Sequence, residues 1–317
     1  ARVARFLTSR LLQVAGMTIA LSFVSFALVR WMPGDPISEQ AASNPNMKPE
    51  DVRRLRAEWG LDDPLPVAYG KWVHQIAWHG DLGWSKAKGA PVRELLADRI
   101  PKTLLLTGTA FLASLLAAVP LAGVCALWAR RWPDLLLNAA AFLAISIPTF
   151  WLGTMLILVF GVRLQWLPVA GYDDESLGVL LRHLALPALT LVLVQTGQWL
   201  RYLRAGFLDE MRLDFVRTAR AKGLSPARVV VRHVLPNVFV LLVTLVTLAI
   251  PGLFSGAIVT EIVFSWRGMG TLLYEAVTLK DAWLAPLVFT GIGALVFFSN
   301  LLADVLYGIV DPRVRRA

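Results

Sequence analysis

Long apolar runs without a single charge recur along this chain of 317 residues. An α-helix of about 20 apolar residues can cross a bilayer, because its backbone polar groups bond to one another inside the segment. Hydrophobic residues make up 56% of the chain and charged residues 17%, which is typical of a helical membrane protein. We therefore predict an all-α integral membrane fold with six transmembrane helices, over Leu11–Val29, Thr103–Ala129, Leu135–Val162, Leu184–Leu200, Val234–Thr260 and Ala282–Ala303.

The runs divide the chain into three predicted regions. Residues 1–30 form a basic tail and a first transmembrane helix, since the apolar run is longer than the 7–15 residues or so of a signal peptide. Residues 31–102 have mixed charge and no run of membrane length, which indicates a large extracytoplasmic insertion. It contains a helical pattern at Lys48–Gly60 and turn sequences at Pro33–Pro36 and Gly80–Gly83, which position a lid or contact a substrate. Residues 103–317 form a five-helix transmembrane core that contains the loop 207–237.

The net charge of +9 is compatible with binding to nucleic acid, but the basic residues flank the apolar runs and are better interpreted as topology anchors in contact with membrane lipid. With both termini in the cytoplasm, the short outer loops hold only Arg163, Arg182, Arg267 and Lys280. The predicted cytoplasmic segments hold many more: Arg2, Arg5, Arg10, Arg130, Arg131, Arg201, Arg204, Arg212, Arg217, Arg220, Lys222, Arg228, Arg232, Arg313, Arg315 and Arg316.

The loop 207–237 is a polar segment between two apolar runs, and two short helices are predicted in it. Asp214 is the expected N-cap of the first helix, and Gly223 permits the left-handed turn that ends it. Ser225 and Pro226 begin the second helix, and Pro236 marks its expected end. The first helix either docks into a groove of a partner protein or lies on anionic lipid, and its small apolar face favours docking.

The sequence contains none of the catalytic motifs that we looked for. It has no P-loop, no nucleophile elbow and no HExxH helix, while its four histidines are scattered and Cys125 is its only cysteine, so we predict no catalytic or metal site. Glu261 and Asp304 lie near span ends, where they can reach the interface rather than serve an ion relay. The predicted lining of a polar pathway is Ser146, Thr149, Thr154, Gln195 and Asn138, although such residues also pack helices together.

The sequence of the loop resembles a known family. Arg217-Thr218-Ala219, three residues, Gly223, nine residues and His233-Val234-Leu235-Pro236 resembles the Glu-Ala-Ala-x3-Gly-x9-Ile-x-Leu-Pro loop of bacterial ABC importer permeases. Arg217, Thr218 and His233 depart from that pattern and look like the first permease subunit of the peptide/nickel branch. Further segments look like the same branch: Pro33–Pro36, Gly80–Gly83, Ser146–Gly153, Glu261–Gly270 and Tyr307–Arg313.

The resemblance implies an importer in the bacterial inner membrane. Its partners would be a second homologous permease subunit, two ABC ATPase subunits that hold ATP and Mg, and an extracytoplasmic binding protein facing 31–102 and Glu261–Gly270. Short peptides are the implied substrate, with nickel, glutathione, sugars or another small solute as alternatives; a membrane-anchored scaffold without transport is the alternative of another class. The implied ATPase-coupling surface comprises Asp214, Phe215, Arg217, Thr218, Ala219, Arg220, Ala221, Lys222, Gly223 and Leu224.

Overall fold

A computed structural model of the chain describes residues 2–32, 48–58, 62–255 and 257–310, and within them the protein is almost entirely helical. This confirms the predicted all-α fold. Its regular elements are α1 (Arg2–Arg30), α2 (Pro49–Glu58), α3 (Leu65–His79), β1 (Trp84–Ser85), β2 (Ala90–Pro91), α4 (Val92–Leu127), α5 (Trp132–Ser146), α6 (Thr149–Leu156), a π-helical turn (Ile157–Arg163), α7 (Leu177–Glu210), α8 (Asp214–Ala221), α9 (Pro226–Val229), a second π-helical turn (Val230–Val234), α10 (Leu235–Ala249), α11 (Gly252–Ser255), α12 (Ile258–Val263), α13 (Met269–Thr278) and α14 (Leu284–Val310).

Five helical segments in the described residues are long and apolar enough to cross a membrane. They are Thr8–Arg30, Val92–Leu127, Leu177–Glu210, Pro226–Ala249 and Leu284–Ala303. A sixth candidate is the pair Trp132–Ser146 and Thr149–Arg163, which bends by 102°. The prediction of one uninterrupted third helix over Leu135–Val162 is therefore wrong, because Ile147 adopts an extended backbone in front of Pro148 and the helix cannot continue.

The fifth span also differs from its prediction. It begins at Pro226 and ends at Ala249, whereas the sequence predicted Val234–Thr260 with a helix boundary at Pro236. Pro236 lies inside the span, two residues after the end of the π-helical turn Val230–Val234, and Leu235 N–H bonds the carbonyl of Val230. The wider i to i−5 bonding shifts the backbone ladder before the proline, so the missing N–H of Pro236 does not end the helix.

The chain divides into two compact units, one of Ala1–Lys102 with Gly268–Leu301 and one of Thr103–Arg267 with Leu302–Ala317. The three regions proposed from the sequence stay a prediction. Two of the predicted motifs, Pro33–Pro36 and part of Tyr307–Arg313, lie outside the described residues, as does the end of the helical pattern at Lys48–Gly60.

The first unit has an aromatic core between α1 and α3. The ring of Tyr69 lies edge-on to Phe23 and stacks on Trp72, with centroids 5.2 Å and 6.1 Å apart. Its hydroxyl is 2.7 Å from the hydroxyl of Ser22, and Ser25 bonds Thr290 of α14 at 3.1 Å. These contacts hold the amphipathic helix α3 against the apolar α1 without leaving the buried hydroxyls unpaired.

A short hairpin, β1 with β2, is held in the same unit by Asp281. Its carboxylate accepts from Ser85 Oγ at 2.7 Å and from the backbone N–H of Trp283 and Leu284 at 3.1 Å and 2.9 Å. The indole of Trp283 donates to Leu82 O at 2.7 Å and covers the Cα of Gly83. Gly80 and Gly83 both have positive φ, which confirms the turn predicted for Gly80–Gly83.

We expect Gly83→Ala to destabilise this unit by about 3 kcal/mol, because the residue has φ +76° and an added Cβ would overlap the indole of Trp283. Gly89→Ala is the matched control: Gly89 has φ +62° in the hairpin but open space around its Cα, and its expected cost is about 1 kcal/mol. Thermal unfolding in detergent measures both. Equal losses for the two variants would show that the contact with Trp283 contributes nothing.

Candidate functional site

The helix α8 begins at Asp214, and its N-cap residue is Leu213. Leu213 makes no side-chain capping bond, so the prediction that Asp214 caps the helix is wrong. Asp214 is instead the first helical residue, and its negative charge interacts favourably with the positive end of the helix dipole. It also pairs with Arg217 at 3.2 Å, but both side chains are largely exposed to solvent, so the pair contributes little to stability.

The helix ends in a Schellman motif, as the glycine in the sequence predicted. Gly223 has φ +79°, its N–H bonds the carbonyl of Arg220 at 2.9 Å, and the N–H of Leu224 bonds the carbonyl of Ala219 at 3.3 Å. Nothing lies within 4 Å of the position that a Cβ of residue 223 would occupy. The glycine is therefore required by the left-handed backbone and not by a close neighbour.

One side of α8 is buried in the chain's own core. Val216 and Ala219 are 1% and 5% exposed. They belong to a cluster with Leu203 and Phe207 of α7 and Val229 of α9, so the helix is fixed to the end of α7. Phe215 and Leu224 pack at the edge of this cluster and are half-buried.

The opposite side of α8 is exposed and cationic. We call it the cationic face; it comprises Arg217, Thr218, Arg220, Ala221, Lys222 and Gly223. Arg212 and Arg228, just outside the helix, are exposed as well. The only acidic residue from 212 to 232 is Asp214, so the face presents a strong positive charge with small residues between the cations. Of the ten residues predicted for the coupling surface, the structure buries Ala219 and leaves seven exposed.

The predicted pathway residues fall in different surroundings. Ser146 and Thr149 flank the bend between α5 and α6, and Thr154, one turn further, is exposed and donates to Phe150 O at 2.8 Å. Gln195 on α7 accepts instead from Ser114 of α4 at 3.2 Å. Asn138 donates to Asp134 at 2.7 Å.

Glu261 differs from its prediction. It was expected to reach the membrane interface, but it is fully buried in α12 and accepts from Thr103 Oγ at 2.6 Å. The reason is that the fifth span ends at Ala249, so Glu261 does not continue a helix toward the interface. The side chain of Asp304 lies outside the described residues, among which no three His, Cys, Asp or Glu side chains are grouped to hold a metal ion.

An ion pair between α5 and α7, with a buried aspartate and a half-buried arginine, was missed from the sequence. Asp134, 0% exposed, lies in the first turn of α5 and accepts from Arg204 Nε at 2.6 Å and Nη2 at 2.8 Å. Arg204 lies on α7, two turns before that helix ends. A lone aspartate at the start of an apolar span and an arginine inside another helix were the available signal, because such charges are costly unless they pair.

The comparison with known proteins identifies the class of this chain. Residues 118–316 match the family model described as the binding-protein-dependent transport system inner membrane component, and residues 3–107 match the model of the N-terminal part of such a component. The chain belongs to this family and is a multi-pass inner membrane protein. The resemblance to ABC importer permeases is thereby confirmed, and the family implies an ATPase and a substrate-binding protein as partners.

Individual relatives are similar over their whole length. A putative peptide permease protein of Brucella ovis is 39% identical over 98% of this chain and 99% of its own. The oligopeptide transport system permease protein AppB of Bacillus subtilis is 33% identical over 98% of this chain and 99% of its own. The glutathione transport system permease protein GsiC of Escherichia coli is 35% identical, with 98% of each chain covered.

Proposed function

We propose that this chain is one of two homologous permease subunits of an ATP-driven importer and forms half of its translocation pathway. Two ABC ATPase subunits hold ATP and Mg, and an extracytoplasmic binding protein delivers the substrate. The chain itself supplies no catalytic residue and no cofactor. Membership of the family supports a role in transport. The number of permease and ATPase subunits, and ATP hydrolysis on the ATPase subunits, are what we propose in addition.

The observation that carries the coupling role is the two-sided character of α8. Val216 and Ala219 attach the helix to the core of the permease, and the cationic face projects outward with no acid except Asp214. A short helix presented in this way suits a groove with acidic side chains in the ATPase. The proposed coupling surface is Asp214, Phe215, Arg217, Thr218, Ala219, Arg220, Ala221, Lys222, Gly223 and Leu224, with Ala219 acting through its packing on the core.

The orientation in the membrane follows from the basic residues and is part of the proposal. Both termini and the loop 207–237 lie in the cytoplasm, since the basic residues concentrate in those segments. Residues 31–102 then lie outside, between the first helix (1–30) and the core (103–317). In Glu261–Gly270 only Ser265 and Arg267 are exposed, so these two are available to the binding protein.

Short peptides are the proposed substrate class. Relatives named for peptide, oligopeptide and glutathione transport are similar to this chain over nearly its whole length, and glutathione is itself a small peptide. Nickel and other small solutes remain the alternatives, because the separate binding protein selects the substrate. The proposed pathway lining is Ser146, Thr149, Thr154 and Gln195.

Uptake by proteoliposomes that contain the complete transporter tests the proposed function. With the binding protein outside and ATP inside, we expect accumulation of a labelled di- or oligopeptide, and none with a non-hydrolysable ATP analogue. Labelled nickel is the parallel substrate. Accumulation of nickel without accumulation of any peptide would contradict the proposed substrate class. Uptake that does not depend on ATP hydrolysis, for every substrate tested, would contradict an ATP-driven importer.

A further inference from the structure

The buried carboxylate of Asp134, paired with the half-buried Arg204, accepts more hydrogen bonds than an ordinary ion pair provides. Both nitrogens of the guanidinium fork bond the carboxylate, Nε to Oδ1 and Nη2 to Oδ2. The carboxylate also accepts the N–H of Arg130 at 2.8 Å and the amide of Asn138 at 2.7 Å. Each carboxylate oxygen thus has two donors, which offsets the cost of burying the charge and fixes its direction.

The donors come from separate parts of the second unit. Arg130 is in the turn between α4 and α5 and has φ +62°, a left-handed backbone that is uncommon for arginine. Arg204 is on α7, where the neighbouring Leu203 and Phe207 belong to the same buried cluster as Val216 of α8. The carboxylate of Asp134 therefore joins the turn, the start of α5 and the end of α7 next to α8.

The contact between α5 and α7 is close further along as well. A Cβ on Gly197 of α7 would come within 2.8 Å of the carbonyl of Ala141, so only glycine allows the two backbones to approach this far. From Ala141, α5 continues for little more than one turn to the bend at Ser146 and Pro148. The helices α8, α7 and α5 are thus attached in series, from the cationic face to the bend.

We propose that Asp134 and Arg204 are positioning residues for energy coupling: their bidentate pair keeps the end of α7 in register with α5, so that displacement of α8 moves the bend between α5 and α6. This inference rests on the proposed docking of α8 to an ATPase. A bidentate pair suits this task because it resists rotation as well as separation, which a single lysine contact does not.

Arg204→Lys in the reconstituted transporter is the first test, since it keeps the positive charge and removes the fork. We expect the complex to assemble with binding-protein-stimulated ATPase activity within about twofold of the original, while substrate transported per ATP hydrolysed falls at least about fivefold. Arg201→Lys is the matched control, an exposed arginine three residues earlier on the same helix, and should leave this ratio unchanged. A purely structural pair would change assembly and turnover together without changing the ratio.

The double variant Asp134→Leu/Arg204→Met is the second test, because it removes both charges at once and such replacements are tolerated in folded proteins. We expect the same loss of transport per ATP. A normal ratio in either folded variant, or loss of the ATPase subunits from the complex, would overturn the proposal. A failure of the docking proposal itself would be seen in a different experiment. In that case the ATPase subunits would stay bound when the charges of the cationic face are reversed.

Discussion

Gly223→Val is expected to reduce ATP-driven transport about tenfold or more while the protein still inserts into the membrane. Valine at φ +79° is strained by its branched Cβ, although no neighbouring atom obstructs the side chain. Relief of that strain breaks the bonds of Gly223 N–H to Arg220 and of Leu224 N–H to Ala219, which opens the C-terminal turn of α8. The cationic face then loses its fixed direction relative to the core. Uptake and ATP hydrolysis in proteoliposomes measure the effect.

Two controls separate this effect from general strain. Gly89→Val imposes valine on a similar backbone, φ +62° with open space, in the hairpin of the other unit, and should leave coupling intact. Gly223→Asn should retain most transport, because asparagine tolerates the left-handed region. Normal uptake by Gly223→Val, or an equal loss in Gly89→Val, would contradict the role assigned to this turn.

Reversal of Arg217 and Arg220 to glutamate is expected to weaken binding of the ATPase subunits about a hundredfold. Both side chains are exposed on the cationic face, and neither is needed for the packing of Val216 and Ala219. The variant should therefore insert and purify normally but lose its ATPase partners, and ATPase co-purification from membranes over a series of salt concentrations measures this.

The control for the reversal is Arg53→Glu with Arg93→Glu, which changes the net charge equally at exposed positions of the first unit. That variant should retain the ATPase at every salt concentration. If the reversal at 217 and 220 also leaves the yield of complex unchanged, the cationic face is not the docking surface.

The spans were largely predictable because bilayer thickness selects apolar runs directly. The first and fourth predicted runs lie within membrane-length helices, and the second and sixth each coincide with part of one except for two residues at one end. The bend at Ser146 and Pro148 and the end of the fifth span at Ala249 were not predictable in this way. Hydropathy does not show where a proline breaks a helix and where a π-helical turn absorbs it, since that depends on the local backbone bonding around Pro148 and Pro236.

The candidate site was predictable where one residue type decides the conformation. Gly223 is such a case, because a glycine directly after a helix indicates a left-handed backbone with positive φ. The burial of Glu261 and the pairing of Asp134 with Arg204 depend on which distant segments meet, 158 and 70 residues apart in sequence, and no local pattern encodes that. Asp214 does not cap α8 because it is itself the first residue of the helix, so the N-cap position is occupied by Leu213.

A cross-link from residue 221 tests the central claim most directly. Cys125, the only cysteine, is buried, so Ala221→Cys on the cationic face can be labelled selectively with a photo-reactive cross-linker. Val67→Cys, on the exposed side of α3, is the control. In the assembled transporter, the label at 221 should form an adduct with the ATPase subunit and the label at 67 should not. An adduct with lipid alone at 221, or ATPase adducts at both positions, would contradict the account.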